Sequence, residues 1–252
     1  MPTARRLFSV EPLTKPGAAI RLDLQESHHG SQVLRLRRGD PLVVFDAAGC
    51  QYAATLERFE RKHMIVVLGE PVRAAPETAR PIALYLALTK AAAFENVLQR
   101  AVELGVSLIV PFAAERSVPI VANGKAGEGK IERWRQILLS ATKQCGRARL
   151  TTILSPCSFA QAVAHPGDTA LRFCCAPNAD APDMSEMLRA LDPMSTPSLA
   201  VMIGPEGGLT NDETATARHS GWHLVSLGPR TLRVETAATA ALTLLLGSLG
   251  EM

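Results

Sequence analysis

The sequence has few of the residues that mark disulfide, redox and metal chemistry. Its 252 residues include 5 cysteines, and no two of them form a Cys-x-x-Cys pair. Histidines at the spacing of a zinc site are also missing. We therefore expect reduced, partly buried thiols and no bound metal.

Long apolar segments are lacking as well. The longest candidate, residues 237–246, contains Thr239 and Thr243 and is shorter than the roughly 18 residues that a transmembrane helix needs. The N-terminal stretch MPTARRLFSVEP has basic residues but no apolar stretch behind them, so it does not resemble a signal peptide. These absences predict a cytoplasmic protein without a membrane partner.

Common nucleotide and nucleophile motifs are absent too. No candidate strand is followed by GxGxxG, and neither GxSxG nor HExxH occurs. GxxxxGK occurs at residues 124–130, but Ile131 follows it where magnesium requires a Ser or Thr hydroxyl. A P-loop NTPase therefore stays a minor alternative, which magnesium-dependent ATP binding would reveal.

Basic residues are concentrated in two zones. Residues 1–73 hold 11 Lys and Arg against 8 Asp and Glu. Residues 123–149 hold seven cations against only Glu128 and Glu132. Such zones indicate an anionic partner such as RNA, although they also fit an ordinary solvated surface.

Two domains are predicted from the hydrophobic patterns. Residues 1–72 contain short β-like runs with one brief helix, which indicates a small β-barrel domain; a linker with three prolines, residues 70–81, follows. In residues 73–252, continuous apolar strands alternate with helices. This alternation predicts an α/β domain with a parallel sheet covered on both faces.

Two loops at predicted strand ends are the candidate ligand site. One is Gly204-Pro-Glu-Gly-Gly208, followed by a predicted capping box from Thr210 to Glu213, and the other contains Gly228-Pro229. Glycine lets a ligand approach the backbone closely, and proline stiffens the turn. Because parallel sheets bind ligands at the carboxyl ends of strands, the pair predicts a clasp for a small planar ligand. Two ordinary turns are the alternative.

These loops resemble those of a known family. IGPEGGLTNDE and LGPRTLRVETAATAAL together resemble the SPOUT methyltransferases, specifically the small-subunit ribosomal RNA uridine N3-methyltransferases. RRLF, HHGSQVLRLRRGD and ATKQCGR extend the resemblance over nearly the whole chain. The resemblance implies a PUA-like RNA-binding barrel, a SPOUT domain with a C-terminal trefoil knot, and a homodimer packed partly through the last helix.

The resemblance further implies S-adenosylmethionine as the cofactor, with no metal. The residues that match the family's cofactor loops are Cys175, Ala176, Pro177, Ile203, Gly204, Pro205, Glu206, Gly207, Gly208, Ser226, Leu227, Gly228 and Leu232.

Methyl transfer to N3 of uracil is the implied reaction. Arg233 is expected to hold a phosphate or the uracil oxygens, and Glu235 to orient that guanidinium or to act on the N3 proton. The alternative is that Arg230, Arg233 and Glu235 only form ion pairs that hold the knot.

Small-subunit ribosomal RNA, free or within the assembled subunit, is the implied partner. The residues expected to contact it are Arg5, Arg6, His29, Arg35, Arg37, Lys90 and Arg147. Two rival functions are a 2′-O-ribose methyltransferase of the same class and a non-catalytic RNA-binding protein. The second of these predicts no affinity for S-adenosylmethionine.

Overall fold

The structure, a computed structural model, describes residues 5–118, 125–164, 171–176, 181–190, 195 and 197–252. The chain divides into two compact units: Met1–Glu77 with Leu139–Leu150, and Thr78–Leu138 with Thr151–Met252. The contacts thus group residues 139–150 with the N-terminal unit, whereas the sequence analysis assigned them to the second domain. The first segment of the N-terminal unit ends at Glu77, five residues beyond the predicted domain boundary at residue 72.

The first unit is built on a five-stranded sheet. Its strands are β1 (Arg6–Ser9), β2 (Ala19–Arg21), β3 (Pro41–Asp46), β4 (Gln51–Glu60) and β5 (His63–Pro71), in the order β1-β3-β4-β5-β2. β1 runs parallel to β3, and the other pairs are antiparallel. Helix α1 (Leu24–His28) continues into a π-helical turn (His29–Val33). Buried side chains such as Leu7, Val44, Leu56 and Met64 form its core.

The second unit is an α/β domain with a parallel sheet, as predicted. Its strands are β6 (Ile82–Ala87), β7 (Leu108–Ala113), β8 (Thr152–Ile153), β9 (Cys157–Ser158), β10 (Leu171–Cys175), β11 (Leu199–Ile203) and β12 (His223–Val225). The order is β12-β10-β11-β6-β7-β8, and β9 also pairs with β7. All pairs are parallel. Every residue of β6 and β11 is buried, which is typical of a sheet covered on both faces.

Among the described residues, six α-helices follow β6 in the chain. They are α2 (Ala91–Glu103), α3 (Lys125–Cys145), α4 (Phe159–Ala164), α5 (Met184–Ala190), α6 (Asn211–His219) and α7 (Val234–Ser248). The capping box predicted at the start of α6 is confirmed, because the Thr210 and Glu213 side chains each accept a hydrogen bond from the other residue's backbone N–H. Within the described ranges, no helix combines the length and apolar character of a membrane span.

Candidate functional site

A pocket lies where the ends of three neighbouring strands meet. β10 precedes β11 and β12 in the chain but lies between them in the sheet, so the loops after all three strands converge at one edge. The pocket contains about 640 Å³ of empty space, including space open to solvent. It is lined by Cys175, Ala176, Ile203, Gly204, Pro205, Glu206, Gly208, Leu209, Val225, Ser226, Leu227, Gly228, Arg230, Thr231, Leu232, Val234 and Ala237.

Eleven of the thirteen residues predicted to bind a cofactor are brought together in this lining. Pro177 lies outside the described residues, and Gly207 is not part of the lining. Sequence reasoning missed Leu209, Val225, Arg230, Thr231, Val234 and Ala237. Leu209, Val225, Arg230 and Thr231 could have been predicted because they are next to the two glycine loops in sequence. Val234 and Ala237 are three residues apart on α7, which places them on the same helical face.

The loop after β11 needs glycine at two positions for different reasons. A Cβ on Gly204 would lie 3.1 Å from Cγ of Leu209 and 3.4 Å from its backbone nitrogen, so a side chain there would fit only if Leu209 shifted by a few tenths of an ångström. Gly208 has a φ of +69°, which only glycine adopts readily. Its N–H donates to the Pro205 carbonyl at 2.8 Å, which closes the loop into a tight turn.

Arg116, in the segment after β7, fastens the same loop from outside. Its Nη1 donates to the Gly207 carbonyl at 2.9 Å. A Cβ on Gly207 would lie 3.2 Å from Cβ and 3.3 Å from Cδ of Arg116. Gly207 is one of the residues predicted to bind the cofactor. Because it has no side chain, the Arg116 side chain packs closely against its backbone.

Glu213 connects this loop to the segment that follows β7, which is the strand next to β6 on the side away from β11. One carboxylate oxygen accepts from the Thr210 N–H at 2.9 Å, and the other accepts from the Glu115 N–H at 2.8 Å. The side chain is buried, so both acceptors must be satisfied within the protein. The loop after β11 is thus held at several points, and the sequence had indicated only the capping box.

The loop after β12 is held mainly through Ser226, whose carbonyl accepts from the Met184 N–H at 2.9 Å. The Ser226 hydroxyl accepts from the Gly228 N–H at 3.2 Å, and the Ser226 N–H donates to the Pro182 carbonyl at 2.8 Å. Gly228 has a φ of +103°, a conformation that requires glycine. Beyond it, Arg230 is exposed and lines the pocket.

Arg233 and Glu235 lie at the start of α7, beside the lining and not within it. Arg233 is the exposed N-cap residue, and Glu235 is a half-buried member of the first turn. Within the described part of the chain, the side chains of Arg230, Arg233 and Glu235 form no ion pair or hydrogen bond. The alternative, in which these three residues only form ion pairs that hold the knot, finds no such pair among the described residues.

The cysteines beside the pocket are not activated nucleophiles. Burial raises the pKa of the Cys175 thiol well above its ordinary value, and burial raises the pKa of the Cys174 thiol to about 12. Both side chains therefore stay protonated near neutral pH, whereas a reactive cysteine needs a thiolate. Within the described ranges, no group of three or more His, Cys, Asp or Glu side chains is arranged to hold a metal ion.

Four of the residues predicted to contact RNA are exposed: Arg5, Arg35, Arg37 and Lys90. Arg5 forms a hydrogen-bonded ion pair with Asp40 at 2.9 Å. His29 is half-buried, and burial together with the nearby Lys143 ammonium lowers the pKa of its imidazole.

Arg6 and Arg147 have structural roles instead of the predicted contact with RNA. Arg6 is 8% exposed and Arg147 is 4% exposed. Nη2 of Arg6 donates to Oε1 of Gln51 at 2.6 Å and to the Arg147 carbonyl at 2.7 Å. Arg147 donates through Nε and Nη2 to Oε2 of Glu77 at 3.0 and 2.6 Å. Both guanidinium groups are engaged inside the first unit, so neither is accessible to a phosphate.

Comparison with known proteins links this site to a family. A family model described as an RNA methyltransferase domain matches residues 76–246. The chain is 33% identical over 227 residues to the ribosomal RNA small subunit methyltransferase E of Synechocystis sp., covering 89% of this chain and 72% of that protein.

Solved structures agree over nearly the full length. A Legionella pneumophila protein with bound SAM superposes with a TM-score of 0.88 at 30% identity, covering 97% of this chain and 98% of the other. A ribosomal RNA small subunit methyltransferase E of Neisseria gonorrhoeae bound to S-adenosyl methionine gives 0.86 at 26% identity, with 97% of each chain covered. The resemblance seen in the sequence is thus confirmed, and the chain belongs to the RNA methyltransferase family that includes the ribosomal RNA small subunit methyltransferases E.

Proposed function

We propose that this protein is an S-adenosylmethionine-dependent methyltransferase of small-subunit ribosomal RNA. The observation that carries the proposal is the pocket at the ends of β10, β11 and β12, where eleven residues of the family's cofactor loops meet. Family membership and the two related structures with bound cofactor agree with it.

The residues present fit this cofactor. Ile203, Leu209, Leu227 and Leu232 line the pocket with apolar surface suited to an adenine ring. Gly204 lacks the side chain that would fill the space beside Leu209. Glu206 is the carboxylate in the lining, and it complements a cationic ligand. When bound there, S-adenosylmethionine supplies a methyl group activated by its positively charged sulfur.

We assign the reacting side of the pocket to the start of α7. Transfer to N3 of uracil requires loss of the N3 proton and stabilisation of negative charge on the two carbonyl oxygens. Arg233 is exposed and unpaired within the described residues, so its guanidinium is available for a phosphate or for those oxygens. Glu235, two residues on, forms no ion pair with Arg233 within the described residues, and its carboxylate accepts the N3 proton.

Further features of the proposal concern assembly and topology. The C-terminal strands form a trefoil knot, and the first unit is a PUA-like barrel that binds RNA through Arg5, His29, Arg35 and Arg37. Two chains associate through α7, whose Ala240, Thr243 and Leu244 are only half-buried within one chain and so leave apolar surface for a partner. The enzyme acts in the cytoplasm, where ribosomal RNA is found.

Nucleoside mass spectrometry of 16S ribosomal RNA tests the proposal. Deletion of the gene should remove N3-methyluridine from this RNA, and the wild-type gene should restore it while the Arg233→Ala gene should not. Purified protein with labelled cofactor should transfer the methyl group to RNA from the deletion strain. Unchanged N3-methyluridine in that strain would refute the assignment, and a lost 2′-O-methyl nucleoside would indicate the rival ribose chemistry.

A further inference from the structure

The hairpin between β4 and β5 ends in an unusual turn. Glu60 pairs with His63, so Arg61 and Lys62 are the two turn residues, with φ values of 44° and 73°. A two-residue turn with both φ values positive is the type I′ geometry, which strongly favours Asn-Gly or Gly-Gly. Two long cationic side chains therefore occupy a conformation that disfavours them. Strain of this kind persists where function selects the residue.

The two turn residues are available cations. Arg61 and Lys62 are exposed, and neither forms an ion pair within the described residues. Arg58 forms ion pairs with both Glu57 and Glu60, so residues 57–62 hold three cations against two carboxylates. The net positive charge of the hairpin end is therefore carried by its two turn residues.

An aromatic ring is exposed beside these cations. Phe59 is 46% exposed, and the other ten aromatic residues, all of them described, are buried or half-buried. β3 pairs with β4 only from Gln51 to Thr55, so residues 58–60 pair with β5 alone in the described structure. On the other edge of β5, Arg21 pairs with Ile65 and the Leu22 N–H donates to the Met64 carbonyl at 2.9 Å. Phe59 thus lies on the part of β4 that β3 does not pair with.

A second group of cations lies along the same strand. The Gly39 N–H donates to the Leu56 carbonyl at 2.8 Å, and the Leu56 N–H donates to the Asp40 carbonyl at 3.1 Å. Arg37 and Arg38, just before this pairing, are exposed. Leu56 is three residues from Phe59, roughly 10 Å along a strand. Along β4, exposed cations therefore lie in the segment that pairs near Leu56 and in the turn that follows Phe59.

We propose that the end of this hairpin, residues 58–62, is a binding site for unpaired nucleotides of the substrate RNA. Phe59 stacks on a base, and Arg61 and Lys62 contact the adjacent phosphates. Aromatic side chains between cations are the usual means of holding single-stranded RNA, whereas phosphate contacts alone would not require an exposed ring. This inference rests on the proposed function, since it concerns the RNA that the enzyme methylates.

The turn provides a test in which stability and binding change in opposite directions. The double variant Arg61→Asn with Lys62→Gly installs the preferred turn residues, so we expect its melting temperature to rise. Its affinity for a fluorescent single-stranded poly(U) oligonucleotide should fall. The slope of log Kd against log salt should flatten by about 1.4, because about 0.7 is lost for each phosphate contact on a single strand.

Phe59→Ala tests the stacking component. Affinity for poly(U) should fall between about fivefold and a hundredfold, and affinity for duplex RNA of the same length should change little. Val72→Ala, at an exposed apolar position just after the opposite end of β5, is the matched control and should bind like the wild type. With ribosomal RNA, KM for RNA should rise while Kd for S-adenosylmethionine stays unchanged.

The outcomes separate this inference from the function on which it rests. If the wild type binds and methylates RNA, and the Phe59 and turn variants do so equally well, the hairpin site is refuted and the enzyme assignment stands. If the wild type itself neither binds nor methylates RNA, the proposed function fails. A loss of duplex and poly(U) binding to the same extent would refute the stacking contact.

Discussion

The two glycine-proline loops of the pocket look alike in sequence but differ in how they are held. The loop after β11 is fastened by the Arg116 guanidinium, by the buried Glu213 carboxylate and by its own tight turn. The loop after β12 is held by backbone hydrogen bonds of Ser226 with Pro182 and Met184. Arg230 in this loop, and Arg233 and Glu235 at the start of α7, have no ion partner within the described part of the chain. One wall of the pocket is therefore preorganised, whereas the other presents free charged groups.

This difference indicates that the two loops have different roles in binding and in the reaction. Fixed backbone groups bind a ligand with little loss of entropy, because they are ordered beforehand. Unpaired charges near a pocket are available for the substrate and for charge that develops during a reaction. We therefore expect changes in the β11 loop to alter cofactor affinity, and changes at the start of α7 to alter turnover.

The largest effect is expected for Arg233→Ala. Turnover should fall roughly a hundredfold or more, in the range seen when a residue that stabilises transition-state charge is removed, and calorimetry should find unchanged cofactor affinity. Arg218→Ala, which removes an exposed arginine on α6, is the matched control and should keep full turnover. Retained turnover in Arg233→Ala would contradict the assignment of the reacting side of the pocket to the start of α7.

Gly204→Ala should have the next largest effect, on binding. The added methyl group would lie 3.1 Å from Leu209 Cγ and 3.4 Å from its backbone nitrogen, and overpacking of this kind costs about 1–3 kcal/mol. Calorimetry should show weaker cofactor binding. Gly129→Ala on α3, where a Cβ meets nothing within 4 Å, should bind the cofactor normally and be no less stable. Equal cofactor affinities for the two variants would argue against a rigid loop after β11.

Arg116→Ala should produce a smaller change of the same type. Loss of its hydrogen bond to Gly207 is worth about 1 kcal/mol, or roughly a fivefold rise in KM for the cofactor, with kcat nearly unchanged. Arg116→Lys, which keeps a donor, should restore part of the affinity. Gly207→Ala should cost less in the Arg116→Ala background than in the wild type, because the contact with Cδ is gone. Additive effects would show that Arg116 does not position the loop.

Cys175→Ser, at the last residue of β10, should have the smallest effect on turnover, within about twofold. Burial raises the pKa of the Cys175 thiol, so the folded chain keeps it protonated while an unfolded cysteine ionises above about pH 8.5. The free energy of unfolding should therefore fall as pH rises above that value, and Cys175→Ser should reduce this slope. Loss of turnover near neutral pH in the variant would instead assign the thiol a role in the reaction.

Much of the second unit was predictable from local pattern. Continuous apolar runs such as residues 82–88 and 198–204 indicated fully buried parallel strands, and β6 and β11 are buried throughout. The capping box at Thr210 and the two glycine loops were also visible, because each is a short motif whose chemistry is local. These features required no knowledge of the rest of the chain.

Which individual arginines are buried was not predictable from local pattern. Arg6 and Arg147 stand among basic neighbours, as a nucleic-acid surface would, yet they meet each other across 141 residues and are buried. A buried arginine depends on partners such as Gln51 and Glu77, and nothing near Arg6 or Arg147 in sequence indicates that pairing. For the same reason, the grouping of residues 139–150 with the first unit was missed.

The sequence by itself determined which segments would be strands and helices and which loops would need glycine, because these depend on side-chain periodicity and allowed backbone angles. Only the tertiary structure decided that β10 lies between β11 and β12, so that three loops meet in one pocket. It also decided that Gly207 accommodates Arg116 and that Phe59 stays exposed. Strand order and the burial of single residues such as Arg6 and Arg147 arise from contacts between residues far apart in the chain, which local pattern does not encode.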